Sequence, residues 1–319
     1  MARPPVSSAR PAFPASTPDQ VQSGSLAANL LRSLRPSQWT KNLIVFAGLI
    51  FSEEKKLLDP TALRASVIAF ATFCALSGVV YLVNDIRDRE ADRRHPVKSK
   101  RPIASGAVPV GLAAVTAAVL AALALGTAFY LSSAFAAVAA AYLALMVIYT
   151  SFLKHLVILD VLTIALGFVL RAAAGAVVID VQFSHWLGLL TLLLALFLGL
   201  SKRRAELVSL AGEAHAHRRI LAEYSPYLLD QMISVVTAST LLAYAFYTIS
   251  PETVAKFHTD RLVWTVPFPL YGIFRYLYLV HQREGGGNPS EMLLTDRPLL
   301  VCVALWGVAV VAILYGPGR

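Results

Sequence analysis

Nine stretches of this chain are apolar over most or all of the length needed to cross a lipid bilayer, with short polar segments between them. Crossing the hydrocarbon takes roughly 20 consecutive apolar residues in a helix. Every backbone N–H and C=O inside that layer must also be satisfied within the structure. The runs lie near 39–52, 62–84, 108–128, 131–150, 157–179, 186–203, 230–250, 262–281 and 298–315. They predict an all-α, polytopic membrane protein of nine transmembrane helices. Composition agrees, with 57% hydrophobic and only 15% charged residues, against about 25% charged in soluble domains. A soluble enzyme and a disordered chain are both disfavoured on these grounds. The first run is the weakest, because its apolar core Leu43–Phe51 is short and runs into Glu53-Glu54-Lys55-Lys56.

Charge placement orients the chain. With the N-terminus in the cytoplasm, most of the 28 Lys and Arg residues fall on the cytoplasmic side, as membrane insertion favours. The expected location is therefore a cell membrane, with the polar site on its cytoplasmic face. Residues 1–30, rich in Pro, Ser and Ala and without a signal-peptide run, read as a flexible cytoplasmic tail. Residues 31–319 read as one transmembrane catalytic domain. Cys74 and Cys302 sit inside apolar runs and read as core or lipid-facing residues. The two longest cytoplasmic segments follow the second and sixth runs, which predicts two similar four-helix halves, each with a polar loop, plus a ninth helix.

The segment Asn84-Asp85-Ile86-Arg87-Asp88-Arg89-Glu90-Ala91-Asp92 carries the strongest chemical signal. Asp85, Asp88 and Asp92 are spaced to share one face near a helix end. Clustered carboxylates repel, and a helix C-terminus favours cations, not anions. A hard divalent cation such as Mg²⁺ relieves the repulsion, held by one or two carboxylates together with substrate phosphates and waters. The alternative is a solvated loop neutralised by Arg87, Arg89, Arg93 and Arg94. Directly downstream, His95-Pro96-Val97-Lys98-Ser99-Lys100-Arg101 supplies cations for phosphate oxygens, or equally for anionic headgroups. His95 reads as a polar surface residue more readily than as a proton carrier.

Other polar groups carry weaker signals. Arg171 lies deep in the fifth run, where an ionisable group is costly and often functional. Pairing with Asp160 and contact with a bound anion are both open to it. His215 and His217 make a weak metal pattern, and Gly285-Gly286-Gly287 reads as a loop tip. Trp186 and Trp264 read as anchors at the membrane interface. Hydropathy alone leaves a transporter or lipid-binding protein open, although charge here gathers at helix ends and not at the midplane.

Asn84-Asp85-x-x-Asp88-x-x-x-Asp92, then Lys100-Arg101-Pro102-Ile103, resembles the first signature of the UbiA-type intramembrane prenyltransferase superfamily. Leu34-Arg35-Pro36-Ser37-Gln38-Trp39-Thr40-Lys41-Asn42 is similar to the segment that begins the first helix in that family. The resemblance covers the chain from about residue 30. It implies a nine-helix bundle and Mg²⁺ held by Asp85, Asp88 and Asp92, with Asn84 orienting a water or a phosphate oxygen. Ordinary members carry a second aspartate-rich motif after the sixth helix. Here that place reads Lys202-Arg203-Arg204-Ala205-Glu206, with a single carboxylate and three cations.

This departure, with Tyr149-Thr150-Ser151-Phe152-Leu153-Lys154, resembles one branch of the superfamily, the actinobacterial decaprenyl-phosphate phosphoribosyltransferases. That branch implies transfer of 5-phosphoribose from 5-phospho-α-D-ribose 1-diphosphate (PRPP) to decaprenyl phosphate, giving a β-linked product for cell-wall arabinan. On this reading Lys202, Arg203 and Arg204 are candidates for the 5-phosphate, the first two foremost. Glu206 would contact ribose hydroxyls or pair with one of the cations. Lys41, Asn42, Arg101, Tyr149 and Lys154 would serve substrate binding, with Lys41, Arg101, Tyr149 and Lys154 screening the anionic acceptor. The expected partners are a phosphorylated sugar donor, a long-chain polyprenyl phosphate and the bilayer, with no nucleic acid. A homo-oligomer stays open, as does the lipid chain length. Prenyl transfer from a prenyl diphosphate to an aromatic or small acceptor is the alternative activity.

Overall fold

A computed structural model describes residues 25–209, 219–282 and 289–316. His215, His217, the glycine triplet 285–287 and most of the expected N-terminal tail lie outside the described residues. Those described are helical, with no strand among them. In chain order the α-helices are α1 Leu26–Ser33, α2 Ala47–Ile50, α3 Pro60–Arg87, α4 Arg89–Arg94, α5 Val110–Leu131, α6 Ser133–Ser151, α7 Leu159–Val177 and α8 His185–Ser209. There follow α9 Pro226–Ile249, α10 Pro251–Phe257, α11 Pro267–Gln282, α12 Pro289–Thr295 and α13 Arg297–Tyr315.

Several helices start on one local device: a Ser or Asp whose side chain caps the first turn, followed by proline in that turn. Asp59 accepts from the Thr61 N–H before Pro60, Ser225 from Leu228 before Pro226, and Ser250 from Thr253 before Pro251. Proline is tolerated there because its missing N–H would have had no intrahelical partner. The cap satisfies one of the donors left over at the helix start.

Among the described residues seven helices are long and apolar enough to cross a membrane: α3, α5, α6, α7, α8, α9 and α13. The expected run 39–52 is instead a 3₁₀ helix, Pro36–Phe46, continued by the single turn of α2. The run 262–281 is split into a 3₁₀ turn, Arg261–Thr265, and the 16-residue α11. Proline 267 accounts for the second break, since it has no N–H to continue the ladder. For the first, α7 forces a close approach: a Cβ on Gly175 would overlap the carbonyl of Val45, and one on Gly48 would lie 2.8 Å from Cα of Ala176. The first segment is therefore pressed backbone to backbone against α7.

Successive long helices pack on one another, α3 on α5, α5 on α6, α6 on α7, α7 on α8 and α8 on α9, while α13 packs on α11. The core gathers Phe73, Leu76, Phe135 and Tyr142 in the first half, and Phe197, Leu200, Leu229 and Tyr276 in the second. Apolar residues such as Val119 and Leu123 of α5 and Val301 and Leu305 of α13 stay exposed on the outside, as a lipid-facing surface requires. Cys74 and Cys302 are free and buried. At about 1.5 Å per residue, the 28 residues of α3 extend past a hydrocarbon layer of about 30 Å. The end of α3, from Asn84 onward, is thus carried to the polar edge of the bundle.

Candidate active site

A cavity of about 1490 Å³ runs through the bundle. One end is lined by the loop and helix ends that the sequence marks as cytoplasmic, among them Asn84, Asp88, Asp92, Lys98, Arg101, Tyr149, Lys154, Lys202, Arg203 and Glu206. The middle is aromatic and apolar, with Phe168, Phe197, Tyr244, Tyr247, Tyr276 and Trp306. The other end carries Glu53, Glu54, Asp180, His185, Glu252 and Lys256. There, burial holds the Lys256 ammonium below its ordinary range despite the nearby Glu53 and Glu252. Trp186, at the start of α8, lines this end of the cavity beside Tyr247. Trp264 is exposed.

The acidic wall is made where α3 gives way to α4. The Asp88 N–H still reaches the Asn84 carbonyl at 2.9 Å, and the Asp92 N–H reaches the Asp88 carbonyl at 2.8 Å. Asn84, Asp88 and Asp92 are thereby stacked at four-residue intervals on one face, and all three line the cavity. Asp85 does not join them. Its side chain is 3% exposed and points behind the wall, where its Oδ1 accepts from Arg35 at 2.5 Å and from Arg101 at 3.1 Å. The expected carboxylate face of Asp85, Asp88 and Asp92 is therefore corrected to Asn84, Asp88 and Asp92. Both sets satisfy helical spacing, and the two arginines draw Asp85 out of the cavity.

The remaining acids of this wall are also paired. Lys154 Nζ lies 2.6 Å from Asp88 Oδ1, and Arg101 lies 2.6 Å from Asp92 Oδ2. Lys154 comes from the 3₁₀ turn Leu153–His155 after α6, and Tyr149 from the last turn of α6. Arg35 arrives from the other side with φ 54°, immediately before Pro36. A left-handed conformation at a non-glycine residue costs on the order of 1–3 kcal/mol, so the surrounding contacts must hold it. One of them is the Tyr81 ring, 4.6 Å from the guanidinium carbon. Downstream, His95 Nδ1 accepts from the N–H groups of Val97 and Lys98 and so shapes the loop.

The basic wall is the end of α8. Arg203 is buried, donating to Asp160 Oδ2 at 2.8 Å and to Glu206 Oε2 at 2.9 Å. Lys202 Nζ stands 3.8 Å from Glu206 Oε1. Glu206 thus pairs with cations of its own helix, which was one of the two expectations for it. Arg204 leaves the group: it is absent from the cavity wall and pairs with Asp230 of α9 at 2.5 Å. Three consecutive helical residues cannot share a face, and Asp230 supplies the counter-charge on the outer one.

Two further expectations change. Asn42 is fully buried and does not line the cavity; its Oδ1 accepts from Arg171 Nε at 2.8 Å and from Ser77 Oγ at 3.3 Å. Arg171 does not pair with Asp160, which is held by Arg203 and Tyr224. It donates to Asn42 and, at 2.7 Å, to the Tyr142 hydroxyl, with its guanidinium over the Tyr142 and Phe168 rings. Lys41, the residue before Asn42, does line the cavity. Tyr224 is a site component that sequence patterns did not single out, and neither Arg35 nor Asp160 was expected among the site residues. Asp160 is fully buried and also accepts from the Tyr224 hydroxyl at 2.8 Å.

The acidic wall offers oxygen donors of the kind that suit a hard divalent cation, the Asn84 side-chain amide and the carboxylates of Asp88 and Asp92, all lining the cavity. No cluster of three His, Cys, Asp or Glu ligands occurs among the described residues. Any metal there would thus depend on phosphate or water for the rest of its shell.

The family model of the UbiA prenyltransferase family matches residues 42–295. A decaprenyl-phosphate phosphoribosyltransferase of Corynebacterium glutamicum is 34% identical over 297 residues, covering 91% of this chain and 88% of that protein. One from Mycolicibacterium smegmatis is 32% identical, covering 91% and 94%. Among solved structures, a UbiA homolog from Archaeoglobus fulgidus bound to DMAPP and Mg²⁺ superimposes with a TM-score of 0.69 at 20% identity, covering 90% of this chain and all of that one. The acidic wall at the end of α3, the matched family model and the shared fold lead to one statement: this chain belongs to the UbiA prenyltransferase family.

Proposed function

We propose that the protein transfers 5-phosphoribose from PRPP to a long-chain polyprenyl phosphate, decaprenyl phosphate by analogy with its relatives. The observation that carries the proposal is the asymmetry of the cavity head. An acidic wall of Asn84, Asp88 and Asp92 faces a basic wall where Lys202 and Arg203 accompany the single carboxylate Glu206. A prenyl diphosphate needs only one phosphate-binding end, whereas PRPP carries phosphate at both ends and suits two unlike walls.

Asn84, Asp88 and Asp92 would hold Mg²⁺, which neutralises charge growing on the leaving diphosphate. Lys154 and Arg101, which hold Asp88 and Asp92 here, stand ready to bind phosphate oxygens. Lys202 and Arg203 bind the 5-phosphate. Lys41 and Tyr149, which also line the cavity, screen the acceptor. The acceptor phosphate is itself a nucleophile, with a second pKa of about 6, and needs no strong base. Its oxygen bonds to C1 on the face opposite the diphosphate, and the C1–O electron pair leaves with diphosphate, inverting α to β. Positioning two anions for this displacement is the main task of the protein. The aromatic middle of the cavity provides apolar contact for isoprenoid carbon.

The same reading includes nine membrane crossings with a cytoplasmic N-terminus, and places the catalytic unit within 31–319. At about 2.0 Å per residue, the 11-residue 3₁₀ helix with α2 extends to roughly 28 Å, close to the hydrocarbon thickness of about 30 Å. The tighter helix lets a short segment cross.

The test offers labelled PRPP and a polyprenyl phosphate to the detergent-solubilised protein, with and without Mg²⁺. Label is expected in the lipid phase, dependent on Mg²⁺ and lost in Asp88→Ala. Inert PRPP, with label from a prenyl diphosphate entering an aromatic acceptor, would overturn the proposal.

A further inference from the structure

Ile158 is the only β-branched residue with a positive φ among the described residues. It stands at φ 69° and ψ −46°, where a branched side chain is a genuine outlier. The Leu159 N–H closes back on the Val157 carbonyl at 2.8 Å, which makes a γ-turn of the rare, strained hand. The turn lies between the 3₁₀ turn that carries Lys154 and the start of α7. Strain of this kind persists only where the surroundings hold it. Here the Tyr224 hydroxyl accepts from the Ile158 N–H at 2.7 Å.

The same hydroxyl donates to Asp160 Oδ1 at 2.8 Å, and Asp160 Oδ2 accepts from Arg203 Nε at 2.8 Å. Tyr224 and Asp160 are buried and do not line the cavity, whereas Arg203 does. A phenol has one proton to give, and this one is committed to Asp160. Burial pushes the Tyr224 hydroxyl up to about 12, so the proton stays in place at neutral pH. Tyr224 itself follows the 3₁₀ turn Arg219–Glu223, anchored by the buried Ile220 and Leu221.

We propose that Tyr224 is a positioning residue for the basic wall: its hydroxyl holds the strained turn at Ile158 and, through Asp160, fixes the Arg203 guanidinium against the phosphorylated donor. The inference rests on the phosphoribosyl-transfer reading for the identity of that donor. A carboxylate held at both oxygens cannot rotate, and a planar guanidinium held at Nε by Asp160 and at Nη1 by Glu206 cannot tilt. Without the hydroxyl, Ile158 is free to leave its left-handed conformation and Asp160, two residues on, moves with it. Charge on the basic wall is unchanged by that movement; only its geometry is lost.

The test compares full-length Tyr224→Phe, Asp160→Asn and the double variant, each as the folded fraction in detergent. It measures KM for PRPP and for polyprenyl phosphate, the pH profile of kcat, equilibrium binding of ribose 5-phosphate and of inorganic diphosphate, and hydrogen exchange over 156–162. Tyr224→Phe keeps the ring and is expected to raise KM for PRPP and weaken ribose 5-phosphate binding about fivefold. Acceptor KM, diphosphate binding and the pH profile stay as in the wild type, and exchange at the Ile158 amide becomes faster. The double variant is no worse than Asp160→Asn, because the hydroxyl acts through that carboxylate. Unchanged PRPP KM in folded Tyr224→Phe would reduce the hydroxyl to a structural bond, and additive losses in the double variant would separate it from Asp160. Equal weakening of diphosphate would mean a general loosening of the site, and a lost limb of the pH profile would make the hydroxyl a proton donor. Each of these four results overturns the proposal. Failure of the donor reading shows separately, as wild-type protein that leaves PRPP intact; the exchange measurement and the same comparison of KM with a prenyl diphosphate donor then decide the role of Tyr224.

Discussion

Arg203 of α8 and Asp160 of α7 form a buried ion pair, Nε to Oδ2 at 2.8 Å, with side chains 4% and 0% exposed. The pair ties the basic wall of the cavity to the helix beside it, and Tyr224 closes the other carboxylate oxygen. Removing one partner strands a charge away from water. Arg203→Met is expected to destabilise the protein by about 3 kcal/mol or more, seen as a lower unfolding midpoint in detergent, together with loss of activity. Asp160→Asn should cost less, because Glu206 still pairs with Arg203.

Lys202 and Arg204 are two residues apart on α8 but face different surroundings. Lys202 lines the cavity, whereas Arg204 pairs with Asp230, which also meets His281 at 3.2 Å. Lys202→Gln should raise KM for PRPP about tenfold, while Arg204→Gln should leave KM unchanged. Steady-state kinetics on the two variants separates them.

Gly175 admits the first segment only because it has no side chain. A methyl group there would overlap the carbonyl of Val45, and the 3₁₀ helix that carries Lys41 would have to move. Gly175→Ala should cost on the order of 1–3 kcal/mol and lower activity beyond the loss of folded protein. The check is specific activity of the folded fraction, isolated by size exclusion.

Asp296 caps α13 through the Leu299 N–H at 2.9 Å and meets Arg275 at 2.8 Å. The Arg275 guanidinium, aided by the cap, holds this carboxyl below its usual range. A depressed folded pKa means the stabilisation is fully present above the unfolded value of about 3.9 and is lost as pH falls through the folded value. Asp296→Asn should lower the melting midpoint at neutral pH and flatten its acid decline. Melting curves over the acid range test both effects.

Much of this protein is legible in its sequence because the bilayer permits few solutions. Uninterrupted apolar runs became α3, α5, α6, α7, α8, α9 and α13 within a few residues of expectation. The two segments that differed contain Pro36, Pro267 or a close approach to α7, features a hydropathy window does not weigh. Residue chemistry was equally legible: carboxylates around the end of α3 and cations in the last turns of α8 follow from side-chain type and position alone.

Which of those side chains meet was not. Asn84 with Asp88 and Asp92 satisfies the same helical spacing as Asp85 with Asp88 and Asp92, and only the placement of Arg35 and Arg101 decides between them. Arg203 finds Asp160 across 43 residues, and Arg171 finds Asn42 across 129. Helical periodicity sets the angles between residues on one helix. The rotation of that helix against its neighbours is set by packing and charge pairing, so the cavity face is a property of the tertiary structure.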